Sequence, residues 1–544
     1  MKQLGKGYDE MTKAAVVEVA NIVGVILGFS VIFLCFLFAI LLVRYYIRKH
    51  NRKLTIEILM TCTWVVLLAY GCMLLSMHFS VDSFHIYYDI GAYYALSIGR
   101  YTGFCLNSLT NFLKINQTIS QQYICLIFII SLIFSLFVIS YSFIELIQDK
   151  SIVTNIFVTL AVCISIVNVF YMELVLFPEM ALPLSVNNLF TAFSVHYAAR
   201  SKHQIVYLLL NALFAFWIIG NYQAYVGILV IFWMTEFLIK YKQDPKKAFR
   251  NSVIYVSLAG ALSILDVLIT NLTIKYQITG DSGRGGEFDI QTISQNIIRL
   301  LQYNIDIWGN GAGIFNCPVM MILGIVLIYC SVISIINLNS NLHRLYLLIL
   351  LVFGYFMAFA PHVIESNITL TPRSNIAFWT WVSCLFIIYF SICSEKRFKL
   401  HLFVTEAGLL FTILINLIIM PDMAANTSVT NAIDIEEAKQ IVDRIDDYEK
   451  STGTIIANIG IHNDFNRTYY YSESRYRVSQ LGARIMATPY SNFEMISYFL
   501  GRHLNNVGMT DDQYITYFGD NEWDEFDPTE QIAIDGDTIY IAVY

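Results

Sequence analysis

Tyr123-Ile-Cys-Leu-Ile-Phe-Ile-Ile-Ser-Leu-Ile-Phe-Ser-Leu-Phe-Val-Ile-Ser-Tyr-Ser-Phe-Ile-Glu-Leu146 carries a single charge, Glu145, close to its end. A bilayer core about 30 Å thick needs roughly 20 apolar residues per helix, and this stretch is long enough to cross it. Segments of the same length and character recur through the first 421 residues. Composition agrees, because 57% of the 544 residues are hydrophobic and only 14% are charged, which is far from the balance of a water-soluble domain. The expected fold class is an α-helical polytopic membrane protein. It has about twelve spans, near 16–43, 55–77, 123–146, 152–174, 180–198, 204–219, 222–240, 251–272, 317–337, 343–360, 374–393 and 400–420.

Direction follows from the basic residues, since short loops rich in Lys and Arg stay cytoplasmic. The richest loop holds Arg44, Arg48, Lys49, Arg52 and Lys53. With that loop inside, Lys150, then Arg200 and Lys202, the run Lys240 to Arg250, Arg344, and Lys396, Arg397 and Lys399 all fall inside as well. The opposite face then receives the long loops 78–122 and 273–316 together with everything after Pro421. The first span, with Glu18 inside it and Lys2, Lys6 and Lys13 ahead of it, reads as an addition to a core of eleven. Residues 1–54 are thus an extra span with a basic cytoplasmic loop, and 55–421 are the membrane domain.

Beyond Pro421 the character changes. From Asp422 onward 21 acidic residues face 8 basic ones, a balance of −13 against −7 for the whole chain. An acidic tail without a basic run argues against nucleic acid, which is gripped by clustered Lys and Arg. Ile433 to Tyr448 reads as an amphipathic helix with Ile435, Ala438, Ile441 and Ile445 on one face. Thr454 to Gly460 and Asp537 to Tyr544 read as strands, and 491–505 as a helix. Residues 422–544 are therefore expected to form a small α/β domain on the extracytoplasmic side. All ten cysteines lie between Cys35 and Cys393 without a CxxC pair, so neither a disulfide framework there nor a zinc or redox site is indicated.

Chemistry is sought on the outer face. Asp281-Ser-Gly-Arg-Gly-Gly286 is glycine-rich, but it lacks the strand before and the helix after that a phosphate loop requires, and reads as a plain loop. The first long loop offers Asp82, then Asp89, then Gly99-Arg100 and an amphipathic stretch from Phe104 to Ile115 suited to the membrane interface. A carboxylate near an arginine at a membrane surface can serve as base and phosphate clamp, although loop acids and an interfacial anchor would look the same. Glu173 and Glu179 lie near the same face, as do Tyr87, Tyr88, Tyr93, Tyr94, Trp308 and Trp379. Such rings stack on sugars but also gather at any membrane interface.

Taken in order, the acidic first outer loop, Gly99-Arg100, Phe177-Pro-Glu179, Tyr222-Gln223-Ala224 and Thr371-Pro-Arg373 resemble the Gtr-type family of O-antigen glucosyltransferases. The likeness spans most of 55–420. Members often carry two adjacent acids followed by an arginine, whereas here the match is Val81-Asp82-Ser83 with no arginine before Arg100. The resemblance implies a GT-C architecture, a polyprenyl-phosphate sugar as donor, and a polysaccharide or glycolipid as acceptor. It also implies working partners that load and flip the lipid-linked sugar. On this reading Asp82 is the base, with Asp89 as the alternative. Arg373, Arg100 and His362 receive the phosphate, and Glu179, Glu173, Tyr222 and Gln223 hold sugar or acceptor. Neither a metal nor a cofactor is called for.

Three other classes compete. A transporter or flippase would also have about twelve spans, but internal repeats are not evident and the long one-sided loops suit an enzyme better. A polysaccharide polymerase or ligase would use a lipid-diphosphate oligosaccharide. A scaffold of a surface-polymer assembly would bind through its soluble domain alone.

Overall fold

The computed structural model describes the chain except at 1, 50, 89–90, 148–150, 199, 201–203, 277, 280–288, 316–317, 366–367, 394–398 and 465–467. Asp89, Lys150, Lys202, Lys396, Arg397 and the glycine-rich stretch 281–286 therefore lie outside the described residues.

Helices lie over all twelve expected stretches, but fewer have the length to cross a membrane. By length and hydropathy six qualify among the described residues: Glu18–Arg48, Arg52–Leu74, Gln121–Leu146, Pro245–Lys275, Val319–Asn337 and His401–Thr452. A bent pair, Ile152–Ile164 and Val169–Val175, angled by 53°, makes a seventh if it counts as one span. The others, Ala181–Ala198, Gln204–Ile219, Tyr225–Lys240, Asn341–Met357 and Ala377–Cys393, hold 16 to 18 residues. At about 1.5 Å per residue they fall short of a 30 Å core. Those at 181–198, 225–240 and 377–393 are buried almost all round, so they form the interior of the bundle. The outward faces of the long helices instead show Phe33, Phe36, Ile325 and Ile328, as suits contact with lipid chains.

The first helix is built into this bundle. Gly24 and Gly28 let it approach the Tyr101–Phe112 helix closely, since a Cβ at Gly28 would stand 2.5 Å from the Cys105 carbonyl oxygen. Phe104, Cys105 and Leu109 are thereby buried, so the amphipathic stretch expected at the interface has its apolar face against protein. Lower on the same helix, Tyr46 meets His196 at 2.9 Å. Lys49 and Arg200 both pair with Glu145, which gathers three of the loop ends assigned to one side.

A break between span and tail is expected at Pro421, yet one helix runs from Lys399 to Thr452. Proline forfeits one backbone bond, but Met420, Met423 and Ala424 beside it are packed in the main core and hold the line. The last turns of this helix turn Ala438, Ile441 and Ile445 towards a four-stranded sheet, as the apolar spacing predicts. Its strands are β1 (Asn458–Asn463), β2 (Asn505–Asn506), β3 (Ile532–Asp535) and β4 (Thr538–Val543), in the order β2-β1-β4-β3. β1 runs parallel to β2 and β4, while β3 and β4 form a hairpin whose turn needs the positive φ of Gly536. Phe79, Val81, Phe84 and Phe177 join Ile459, Ile485, Met495 and Ile541 in one apolar cluster. The acidic segment and the loop after the Arg52–Leu74 span thus share a core.

Candidate active site

Asp82 stands before the short helix Ser83–Tyr87, just after the Arg52–Leu74 span ends. The loop that presents it is fixed by local polar bonds. Ser80 and Ser83 donate from their hydroxyls to the two oxygens of Glu179, at 2.7 and 3.2 Å. The Phe79 backbone exchanges two bonds with the Asn431 side chain on the long helix, at 2.7 and 3.0 Å. Glu179 follows Phe177-Pro178 in a single tight turn and is buried. Burial and the nearby Asp82 charge push its pKa up to about 7, so its proton is held to near neutrality. Asp82 is only half-buried, and its Oδ1 accepts the Tyr490 hydroxyl at 2.8 Å.

A third carboxylate, Glu173, pairs with Arg373. The bend between Ile164 and Val169 is stabilised by Asn168, whose side chain caps the Val169–Val175 helix, and by Asn416, which accepts the Val169 N–H at 3.0 Å. That bend swings Glu173 towards the turn Pro372–Asn375. Glu173 accepts the Arg373 backbone N–H at 2.7 Å and its Nη1 at 3.0 Å. Arg373 Nη2 donates to Gln480 at 2.7 Å, and its guanidinium lies 4.6 Å from the centre of the Phe177 ring. A Thr371–Ser374 capping box with Pro372 inside it sets the turn. The Asp82 charge acts on both Glu179 and Arg373, and a small cleft lined by Ser80, Val81, Glu173, Phe177, Asn431 and Gln480 opens beside them.

The remaining expected residues fall at graded distances from this centre. The Tyr222 hydroxyl donates to the Arg373 carbonyl at 3.1 Å, and the Arg100 guanidinium sits 4.9 Å from the Tyr222 ring. His362 approaches Glu365 at 2.7 Å through Nδ1 and the Ser374 carbonyl at 3.3 Å through Nε2, one residue from Arg373. Gln223 turns away, donating to the Ile98 carbonyl at 3.0 Å and contacting Asp266 at 3.3 Å. Gly99 is required there, because its φ is +78° and a Cβ would stand 2.8 Å from Gln223. Among the rings, Trp379 is fully buried, so it packs and cannot stack on a sugar.

Ser80, Ser83, Asn431, Gln480 and Tyr490 are site residues without a motif. The two serines could have been suspected from their places beside Asp82, whereas Gln480 and Tyr490 lie in a stretch with no signal of chemistry. Among the described residues no group of three or more His, Cys, Asp or Glu side chains is placed to hold a metal ion.

A family model described as glucosyl transferase GtrII matches residues 71–390, which takes in Asp82, Glu173, Glu179 and Arg373. Neither a curated protein nor a solved structure matches the chain.

Proposed function

From the fact that the chain belongs to the glucosyl transferase GtrII family, we propose that it moves glucose or a similar hexose from a polyprenyl-phosphate carrier to a cell-surface polysaccharide or glycolipid. The reaction takes place on the outer face of the membrane, where the loops carrying Asp82 and Arg373 lie under the positive-inside assignment. The enzyme is a multi-spanning membrane glycosyltransferase, so the carrier's lipid chain stays in the bilayer while its head enters from the side.

A phosphate is already a good leaving group, which leaves two tasks for the protein. Asp82 takes the proton from the acceptor hydroxyl as its oxygen attacks the anomeric carbon. The bond from that carbon to the phosphate oxygen breaks, and Arg373 receives the departing negative charge, with Arg100 and His362 as further candidates. Glu179, with its pKa pushed up to about 7 by burial and the Asp82 charge, holds its proton beside the proposed base. Glu173 balances Arg373, and the guanidinium fork has more donors than Glu173 and Gln480 use. The roles of Asp82 and Arg373 are supported by one observation above the rest. Asp82 and Arg373, 291 positions apart in sequence, are brought near enough for the Asp82 charge to act on the guanidinium, and one C-terminal stretch bonds to both through Tyr490 and Gln480.

The test is sugar transfer by membranes bearing the full chain, supplied with a panel of monosaccharides on undecaprenyl phosphate. Consumption of glucosyl carrier with release of undecaprenyl phosphate is expected. Consumption only of a nucleotide sugar would overturn the donor assignment.

A further inference from the structure

The C-terminal segment sends two polar side chains to this site, one to Asp82 and one to Arg373. Tyr490 donates to Asp82 Oδ1 at 2.8 Å, and Gln480 accepts Arg373 Nη2 at 2.7 Å. Both come from the stretch that precedes the helix Asn492–Leu500.

That stretch is held firmly. Asp434 of the long helix is fully buried and accepts the backbone N–H groups of Ile485 and Met486, at 3.1 and 3.0 Å, and the Tyr471 hydroxyl at 2.9 Å. Gly482 has a φ of +71°, and a Cβ there would stand 2.2 Å from Ser474 Oγ, so the chain turns tightly just after Gln480. The following helix packs on Ser83–Tyr87 through Phe84 and Tyr498, ring centres 5.3 Å apart, and through His85 and Glu494 at 3.2 Å. A donor and an acceptor presented from such a support arrive already oriented.

We propose that Tyr490 and Gln480 are positioning residues for glucosyl transfer, so that the C-terminal segment completes the active site. The inference rests on the assignment of Asp82 as base and Arg373 as phosphate ligand. Tyr490 pins Oδ1 and so presents Oδ2 to the acceptor hydroxyl. Tyr490 is 40% exposed, and its phenol serves as the donor because its partner is the Asp82 carboxylate. Gln480 and Glu173 hold the guanidinium plane from its two ends, which aims the fork at the donor phosphate. The two contacts therefore act on different steps.

Steady-state transfer from undecaprenyl-phosphate glucose separates these effects, using membranes of source cells that supply the acceptor and carry the full-length variants in place of the chromosomal copy. Tyr490→Phe is expected to lower kcat about 10-fold with the donor KM unchanged, and Gln480→Ala to raise the donor KM about 10-fold with kcat little changed. A segment that merely covers the site would give the two variants the same change, and no change or a faster Tyr490→Phe enzyme would equally overturn the proposal. Asp82→Asn run alongside separates the two levels. If it transfers glucose at the normal rate, the base assignment fails, and if it is inactive while both other variants behave normally, only the positioning roles fail.

Discussion

The candidate site contains two buried glutamates, and the partners of those glutamates differ. Glu179 is met by two neutral hydroxyls, from Ser80 and Ser83, and holds its proton to about pH 7. Glu173 is met by the cationic Arg373 through both backbone and side chain. A buried acid without a cation protonates, whereas one with a cation stays charged and balances its partner. The first arrangement stands beside Asp82, the proposed base, and the second gives Arg373, the proposed phosphate ligand, a carboxylate partner. On the proposed roles, the same residue type serves proton transfer in one place and phosphate departure in the other.

Four substitutions sharpen or break that contrast. Asp82→Asn removes the base, and the transfer rate should fall between about 10²-fold and 10⁴-fold with normal protein accumulation, read from release of undecaprenyl phosphate. Glu173→Gln leaves Arg373 buried without its counter-charge, and should destabilise the protein by about 3 kcal/mol, seen as a lowered unfolding temperature in detergent. Arg373→Lys keeps the charge but loses the planar fork, so the donor KM should rise about 10-fold. Glu179→Gln has the smallest effect and the clearest sign. Since the folded pKa of Glu179 is raised from the usual 4.5 to about 7, the native state binds the extra proton, and stability is lost as pH rises from 4.5 through 7. The Gln variant should lack that contribution, so its unfolding temperature should fall less between pH 5 and pH 8.

Much of this was legible because the signals were local. Apolar runs located the helices, since hydrophobic length is a property of one segment. Phe177-Pro-Glu179 and Thr371-Pro-Arg373 were picked out by the resemblance to the Gtr-type family, and the two motifs do meet, with the Arg373 guanidinium 4.6 Å from the centre of the Phe177 ring. Span lengths were less legible. Helices such as Tyr225–Lys240 and Ala377–Cys393 are as apolar as the long ones, but their hydrophobicity serves burial among neighbours and not contact with lipid. Pro421 misled for the complementary reason, as a helix packed along its length survives one missing bond. Gln480 and Tyr490 were invisible, because a tyrosine in an acidic segment becomes meaningful only when tertiary packing sets it 2.8 Å from Asp82. A transporter reading finds no footing in a family of glucosyl transferases.

The division of labour between Asp82 and Arg373 is tested most directly by comparing donor binding with donor consumption in one variant. Membranes bearing full-length Asp82→Asn would be loaded with radiolabelled undecaprenyl-phosphate glucose and followed through a single turnover. The account predicts that the donor binds as tightly as to the unaltered protein and then remains intact. Glucose transfer at the normal rate, or loss of donor binding together with transfer, would contradict it.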